Sequence, residues 1–221
     1  MKIAIVIPAR LDSTRLKEKM LIKFDGIPLI RLVLDKCLLM GHDTYVVTDS
    51  KKIAQYISIG SVIMTNEAEN GTARIASVLD KLDKYDVIVN VQGDMLDMNI
   101  KTLGPLLEEC LYHDVTTCYT EGCKPDDVKV IHQNGKACWF TRSNIGYGDR
   151  HLGIYAYKTH ILQSYDLFTD EYPRENLEQN RILGMYDIHV VRTEYDGVEI
   201  NTEQDLKDLI TVENGRLYEK K

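Results

Sequence analysis

Arg10, Arg15 and Lys19 follow directly on Ile3-Ala4-Ile5-Val6-Ile7-Pro8, an apolar run with no charge in it. Such a run reads as a buried strand. In an α/β sheet the loop after a buried strand emerges at the carboxyl edge, where ligands bind. A guanidinium grips phosphate oxygens in pairs and an ammonium acts as a point charge. Three cations in so short a loop, with the Ser13 and Thr14 hydroxyls beside them, make a cradle for a polyphosphate such as a nucleoside triphosphate. The plainer alternative is a solvated loop. The chain as a whole is acidic, with 27 Lys and Arg against 34 Asp and Glu and a net charge of −7, so composition alone does not account for the local excess of cations. Neither a glycine-rich Walker loop nor a G-x-G-x-x-G follows this strand, which removes the support for a P-loop ATPase or a Rossmann dinucleotide enzyme.

Other segments carry chemistry in the same sense. Asn90-Val91-Gln92-Gly93-Asp94 ends an apolar strand in a polar side chain, a glycine and a carboxylate. A carboxylate there suits Mg²⁺, which takes one or two protein carboxylates and completes its shell with phosphate oxygens; a plain Gly-Asp turn is the alternative. Asn70-Gly71-Thr72-Ala73-Arg74 opens a helical pattern and reads either as an anion or base contact or as an ordinary cap. Arg142 and His151 fall on strand-like segments, where Arg142 could meet a substrate carboxylate or be purely structural. Cys110, His113, Cys118, Cys123 and His132 match none of the usual closed zinc spacings, and there is no G-x-S-x-G elbow for a serine hydrolase.

The elements that position these groups follow from periodicity. Strands are predicted at 3–8, 44–48, 61–65 and 86–91, with helices at 28–40, 50–58, 72–84 and 98–113, the last interrupted by Pro105. Short apolar strands spaced by helices predict a mostly parallel, Rossmann-like sheet with helices on both faces. Asn134-Gly135 between 128–132 and 137–141 is a hairpin signal, and a strand at 152–157 follows. Helices at 159–167 and 174–183, a strand at 187–193 and a helix from about 203 complete the reading. The 221 residues form one domain on this view: 1–120 is the nucleotide-binding core, 121–160 a small antiparallel insert lobe, and 161–221 a return to the core.

Composition narrows the classes. With 44% apolar and 28% charged residues the chain can bury a sizeable core. The acidic balance argues against a nucleic-acid partner, and no apolar run reaches the length of a membrane helix. Five cysteines, an odd number without short paired spacings, predict reduced thiols in a cytoplasmic protein.

Taken in order, these segments resemble the CMP-Kdo synthetases, the 3-deoxy-manno-octulosonate cytidylyltransferases. Pro8-Ala9-Arg10-Leu11-Asp12-Ser13-Thr14-Arg15-Leu16-Lys17-Glu18-Lys19-Met20-Leu21 is similar to that family's P-A-R-x-x-S-T-R-L-P-G-K-P-L. Val47-Thr48-Asp49, Asn70 to Arg74 and Val89 to Asp94 come next. Phe140-Thr141-Arg142, His151 to Tyr157, Glu175 to Arg181, and Asn201-Thr202-Glu203-Gln204-Asp205-Leu206 follow. The resemblance spans nearly the whole chain. It implies that the anomeric hydroxyl of a 3-deoxy-2-ulosonic acid such as Kdo is joined to the α-phosphorus of CTP with loss of pyrophosphate, for lipopolysaccharide biosynthesis. It further implies Arg10, Arg15, Lys19 and Asp94 as catalytic residues. Ala9, Arg10, Ser13, Arg15, Lys19, Asn70, Gly71, Thr72, Arg74 and Gln92 would bind the nucleotide. Arg142, His151, Tyr155, Glu178 and Gln179 would line the acidic-sugar pocket, and Asp94 and Asn201 would hold Mg²⁺. Neither a covalent intermediate nor a membrane contact is implied, and a homodimer is. Relative to the family pattern, Lys17, Glu18 and Met20 replace Pro, Gly and Pro, Ala73 replaces Asp, and Met95 and Leu96 replace Glu and Pro. Asn201 stands for an aspartate. These departures keep a related sugar nucleotidyltransferase, or a nucleotide-binding protein with impaired turnover, as the alternatives.

Overall fold

The computed structural model describes residues 1–12, 16–96, 100–167, 177–194 and 200. Two compact units divide the chain: one comprises Ala4–Val78, Val91–Asn99 and Asp196–Lys221, the other Met1–Ile3, Leu79–Asn90 and Ile100–Tyr195.

The first unit holds β1 (Ile3–Ala9), the short hairpin β2 (Lys23–Phe24) and β3 (Ile27–Pro28), α1 (Leu29–Leu38), β4 (Asp43–Thr48), α2 (Lys51–Ala54), β5 (Val62–Met64) and α3 (Gly71–Ala76). Its strands β5, β4 and β1 lie side by side and run parallel, with Ala9 opposite Thr48 and Thr48 opposite Met64. Ala4, Ile5, Val6 and Ile7 are fully buried, as expected of a strand covered on both faces. Three carboxyl ends therefore meet along one edge, and the loops carrying Arg10, Asp49 and Asn66 leave from it. The β2–β3 hairpin is an addition to the predicted elements. Asp25 and Gly26 both take positive φ, 50° and 80°, as a two-residue type I′ turn requires.

The second unit holds β6 (Val87–Asn90), α4 (Ile100–Glu109), β7 (Val115–Thr120), β8 (Lys129–Gln133), β9 (Lys136–Thr141), β10 (Asp149–Lys158), α5 (Thr159–Gln163), α6 (Glu178–Leu183) and β11 (Ile188–Arg192). Strand order here is β6-β10-β7-β11-β9-β8. The expectation of a mostly parallel sheet is corrected in this unit, which is mixed. β10 runs antiparallel to β6, β7 and β8, while β11 is parallel to β7. No helix lies between β7 and β10 in the chain, so the βαβ crossover that usually makes neighbouring strands parallel is absent there. β10 is also not confined to a peripheral lobe, since it is inserted between β6 and β7. β7 was not predicted at all, although Val115-Thr116-Thr117 is β-branched throughout. α4 runs through Pro105 rather than stopping there. The helix predicted from about 203 lies outside the described residues.

Candidate active site

Lys19 and Asp94 decide the geometry of the first unit. Lys19 sits on a 3₁₀ turn, Lys19–Leu21, whose preceding residue Glu18 adopts the left-handed conformation at φ 51°. Asp94 follows β6, in a segment tied to β1 by the Val91 N–H, which donates to the Val6 carbonyl at 3.0 Å. The Lys19 ammonium donates to Asp94 Oδ2 at 2.5 Å, and the two side chains are only 10% and 16% exposed. Gly93, beside Asp94, packs closely on the residue after Lys19. A Cβ there would stand 2.9 Å from Met20 Sδ and 3.4 Å from Ile30 Cδ1. The next residues, Met95 and Leu96, turn into the core with 0% and 8% exposure, so the apolar side chains that replace the family's Glu and Pro are packed rather than displayed.

Glu18 occupies the position of a family glycine, in a backbone conformation that favours glycine. Its carboxylate accepts from the Lys52 ammonium at 2.9 Å, and that bond, with the charges of Lys52 and Lys17, holds its pKa below the usual carboxylate range. The extra negative charge in this loop is thus matched locally.

The Asn70–Arg74 motif reaches the same strand end by close packing. A Cβ on Gly71 would lie 3.1 Å from the Pro8 ring, so glycine allows the start of α3 to rest on the residue before Ala9 and Arg10. Asn70 caps α3, its Oδ1 accepting from the Ala73 N–H at 2.8 Å, and Thr72 is fully buried. Arg74 is 3% exposed, and its guanidinium donates to Asp49 Oδ2 at 2.8 Å, Thr65 Oγ1 at 2.6 Å and the Asn66 carbonyl at 3.2 Å. It fastens α3 to the loops after β4 and β5. Ser50 caps α2, its side chain accepting from the Ile53 N–H, while Asp49 serves Arg74. Ala9 is buried, Arg10 is exposed and Gln92 is half-buried. Ser13, Arg15 and Asn201 lie outside the described residues.

In the second unit, His151 is 6% exposed and lies among Phe140, Tyr155 and Thr117. The Thr117 hydroxyl donates its one hydrogen to the Ile154 carbonyl at 2.6 Å. His151 Nε2, 2.9 Å from the same oxygen, must therefore be the donor, which leaves Nδ1 as an acceptor. Burial pushes the His151 pKa down to about 3, so the ring is neutral at pH 7. Tyr155 is buried and stacked on Tyr157, and burial pushes its phenol well up. Gln179 is buried on α6, Glu178 is half-buried and Arg142 is exposed just beyond β9.

A residue not assigned from the sequence organises this region. Asn180 donates through Nδ2 to the Phe140 carbonyl at 3.0 Å, and its Oδ1 accepts from the Phe140 N–H at 3.3 Å. The amide replaces a neighbouring strand along β9 and so carries Glu178 and Gln179 to the Thr141-Arg142 end. Asn180→Ala leaves both Phe140 groups buried without these bonds. It is expected to lower stability by about 3 kcal/mol, read as a lower urea midpoint at constant m-value. The only sequence signal was its place in Glu175–Arg181.

Among the described residues no helix is long and apolar enough to cross a membrane. All five cysteines are free, with Cys123 and Cys138 exposed.

A cytidylyltransferase family profile matches residues 4–220. The chain belongs to the cytidylyltransferase family. Among cytidylyltransferases, a 3-deoxy-manno-octulosonate cytidylyltransferase of Acaryochloris marina is 35% identical over 93% of this chain and 95% of its own length. One from Chlorobium limicola is also 35% identical, over 95% of this chain and 96% of its own. A solved structure of CMP:2-keto-3-deoxy-manno-octonic acid synthetase complexed with CTP superposes with a TM-score of 0.88 at 30% identity, covering 96% of this chain and 98% of the other. The α/β nucleotidyltransferase fold follows from that superposition.

Proposed function

We propose that the chain activates Kdo, or a closely similar 3-deoxy-2-ulosonic acid, with CTP, giving the CMP-sugar and pyrophosphate. The observation that carries this reading is the Lys19–Asp94 contact, which joins two motifs 75 residues apart in sequence. A cation and a carboxylate at one strand edge suit a metal-bound triphosphate.

The chemistry is one displacement. The anomeric oxygen bonds to the α-phosphorus, the bond from that phosphorus to the bridging oxygen breaks, pyrophosphate leaves and the hydroxyl proton is released. Such a reaction needs positioning and charge neutralisation more than a protein nucleophile. Lys19 and Arg10 neutralise the phosphate oxygens on which charge builds, with Arg15 assigned beside them. Gln92, next to β1, offers both a donor and an acceptor to the cytosine edge near Ala9. Asn70, Gly71 and Thr72 bound the nucleotide where α3 meets Pro8, and Arg74 positions α3 through Asp49 and Thr65. Arg142 meets the sugar carboxylate, His151 Nδ1 accepts from a sugar hydroxyl, and Tyr155, Glu178 and Gln179 shape the pocket.

The donor set fits Mg²⁺. Asp94 is a hard oxygen ligand with one oxygen on Lys19 and a second to give, and Asn201 is assigned as a carbonyl ligand. When bound, the ion withdraws charge from the phosphates and acidifies the attacking hydroxyl. A homodimer in the cytoplasm belongs to the same reading.

The test is pyrophosphate release from CTP with Kdo and Mg²⁺, repeated with UTP, GTP and ATP. Release with CTP well above the other nucleotides is expected. CTP binding without release across a panel of ulosonic acids would reject the reading.

A further inference from the structure

Three metal-ligating side chains converge in the second unit on residues that this reaction does not use. Glu109 is the last residue of α4, His113 lies four residues on, and His189 is on β11. His113 Nε2 is 3.5 Å from Glu109 Oε2, and His189 Nε2 is 3.6 Å from the same oxygen. Both separations are too long for hydrogen bonds. They are close to the spacing of about 3.3 Å between donors bound tetrahedrally to one ion at about 2.0–2.1 Å. The three ligand atoms all lie within 4.8 Å of one another. The two imidazoles stack with centroids 3.8 Å apart and planes 10° apart, so their Nε2 lone pairs lie in near-parallel planes and one ring must turn for both to meet a single ion.

The placement of His189 is set by its surroundings. The β8–β9 turn lies over it: the Val190 N–H donates to the Gly135 carbonyl at 2.9 Å, and a Cβ on Gly135 would come within 3.0 Å of His189 Cε1. Gly135 has φ +75°, so glycine is favoured both by its conformation and by the ring. Burial and the neighbouring His113 hold the His189 pKa below its ordinary value, which keeps a lone pair available for a metal. The side chains are 43%, 38% and 23% exposed for Glu109, His113 and His189, leaving room for water as a further ligand.

We propose that Glu109, His113 and His189 bind one zinc-class divalent transition ion, which clips the end of α4 to β11. Two imidazoles and one carboxylate suit Zn²⁺ or Cu²⁺ rather than Mg²⁺, which prefers oxygen donors throughout. The site is therefore chemically distinct from the carboxylate assigned to Mg²⁺. It was not legible in the sequence, where His113 invited pairing with nearby Cys110 and Cys118. Both of those thiols are buried, and His132 is engaged with Asp149 at 2.9 Å.

The experiment titrates Zn²⁺ alone into the full chain, stripped with chelator, against a competing chromophoric chelator. Uptake of one ion per chain in the micromolar range is expected, with a rise in Tm and no displacement by millimolar Mg²⁺. His113→Ala, His189→Ala and Glu109→Gln should each weaken uptake about tenfold or more, while Cys123→Ser/Cys138→Ser leaves it unchanged. Far-UV CD reports folding. If His189→Ala unfolds, the two helix-end variants carry the test. No micromolar uptake by the folded chain, equal uptake by His113→Ala and Glu109→Gln, or uptake lost only with the cysteines would each overturn the proposal.

Discussion

Asp94→Asn is expected to lower CMP-sugar formation by about 10²- to 10³-fold, the range seen when one preorganised electrostatic group is removed from a transition state. Asparagine keeps the shape of the side chain but removes the charge that meets Lys19 at 2.5 Å and leaves one oxygen where Lys19 and the assigned Mg²⁺ need two. Lys19→Met should lower turnover comparably, because the triphosphate loses its most enclosed cation. Stability separates a functional pair from a merely structural one. Either single change removes one side of a largely buried ion pair and is expected to cost about 3 kcal/mol. The double change Lys19→Met/Asp94→Leu should recover most of that stability, since a buried ion pair is often replaced by apolar side chains at little cost. It should recover no activity. Steady-state kinetics with urea unfolding on the three variants make the comparison, and near-normal turnover in Asp94→Asn would refute the assignment.

Acid should unfold this protein early, and His151 should dominate the effect. Its pKa is about 3 in the folded chain, through burial, against about 6.5 when unfolded. Above pH 6.5 both states hold the ring neutral and its contribution is constant. As pH falls from 6.5 towards 3, the unfolded chain takes up a proton that the folded chain refuses, so stability falls. The full difference is on the order of 5 kcal/mol, comparable with the whole stability of a small domain. His189, also depressed through burial, acts in the same direction. Urea unfolding from pH 7.5 to 4 should show the loss, and His151→Phe should flatten it because phenylalanine does not titrate. An unchanged slope in that variant would mean that other groups set the acid limit.

The elements that could be read directly are those whose signal is local. β1 is a continuous apolar run, and its course from Ile3 to Ala9 needs nothing beyond that. Asn134-Gly135 states its own turn, with φ of 52° and 75° in the folded chain. Asp25-Gly26 carries the same kind of signal, but its flanking strands are two residues each, too short for an alternation to show. The parallel β1 unit followed from strands alternating with helices. The antiparallel course of β10 did not, because the pairing partners of a strand are chosen by contacts distant in sequence and the strand's own residues are compatible with either direction.

The site divides in the same way. Residue order and type determined that a cationic loop follows β1, that a carboxylate follows β6, and that a glycine and a hydroxyl open α3; these signals need only neighbours along the chain. Tertiary structure alone decided that Lys19 grips Asp94, that Arg74 serves Asp49 and Thr65, that Lys52 answers Glu18, and that Asn180 stands in for a strand beside Phe140. The physical reason is that a charged or amide side chain on its own segment can face water or any complementary group. Its partner is selected only when packing removes the water and leaves one such group within reach.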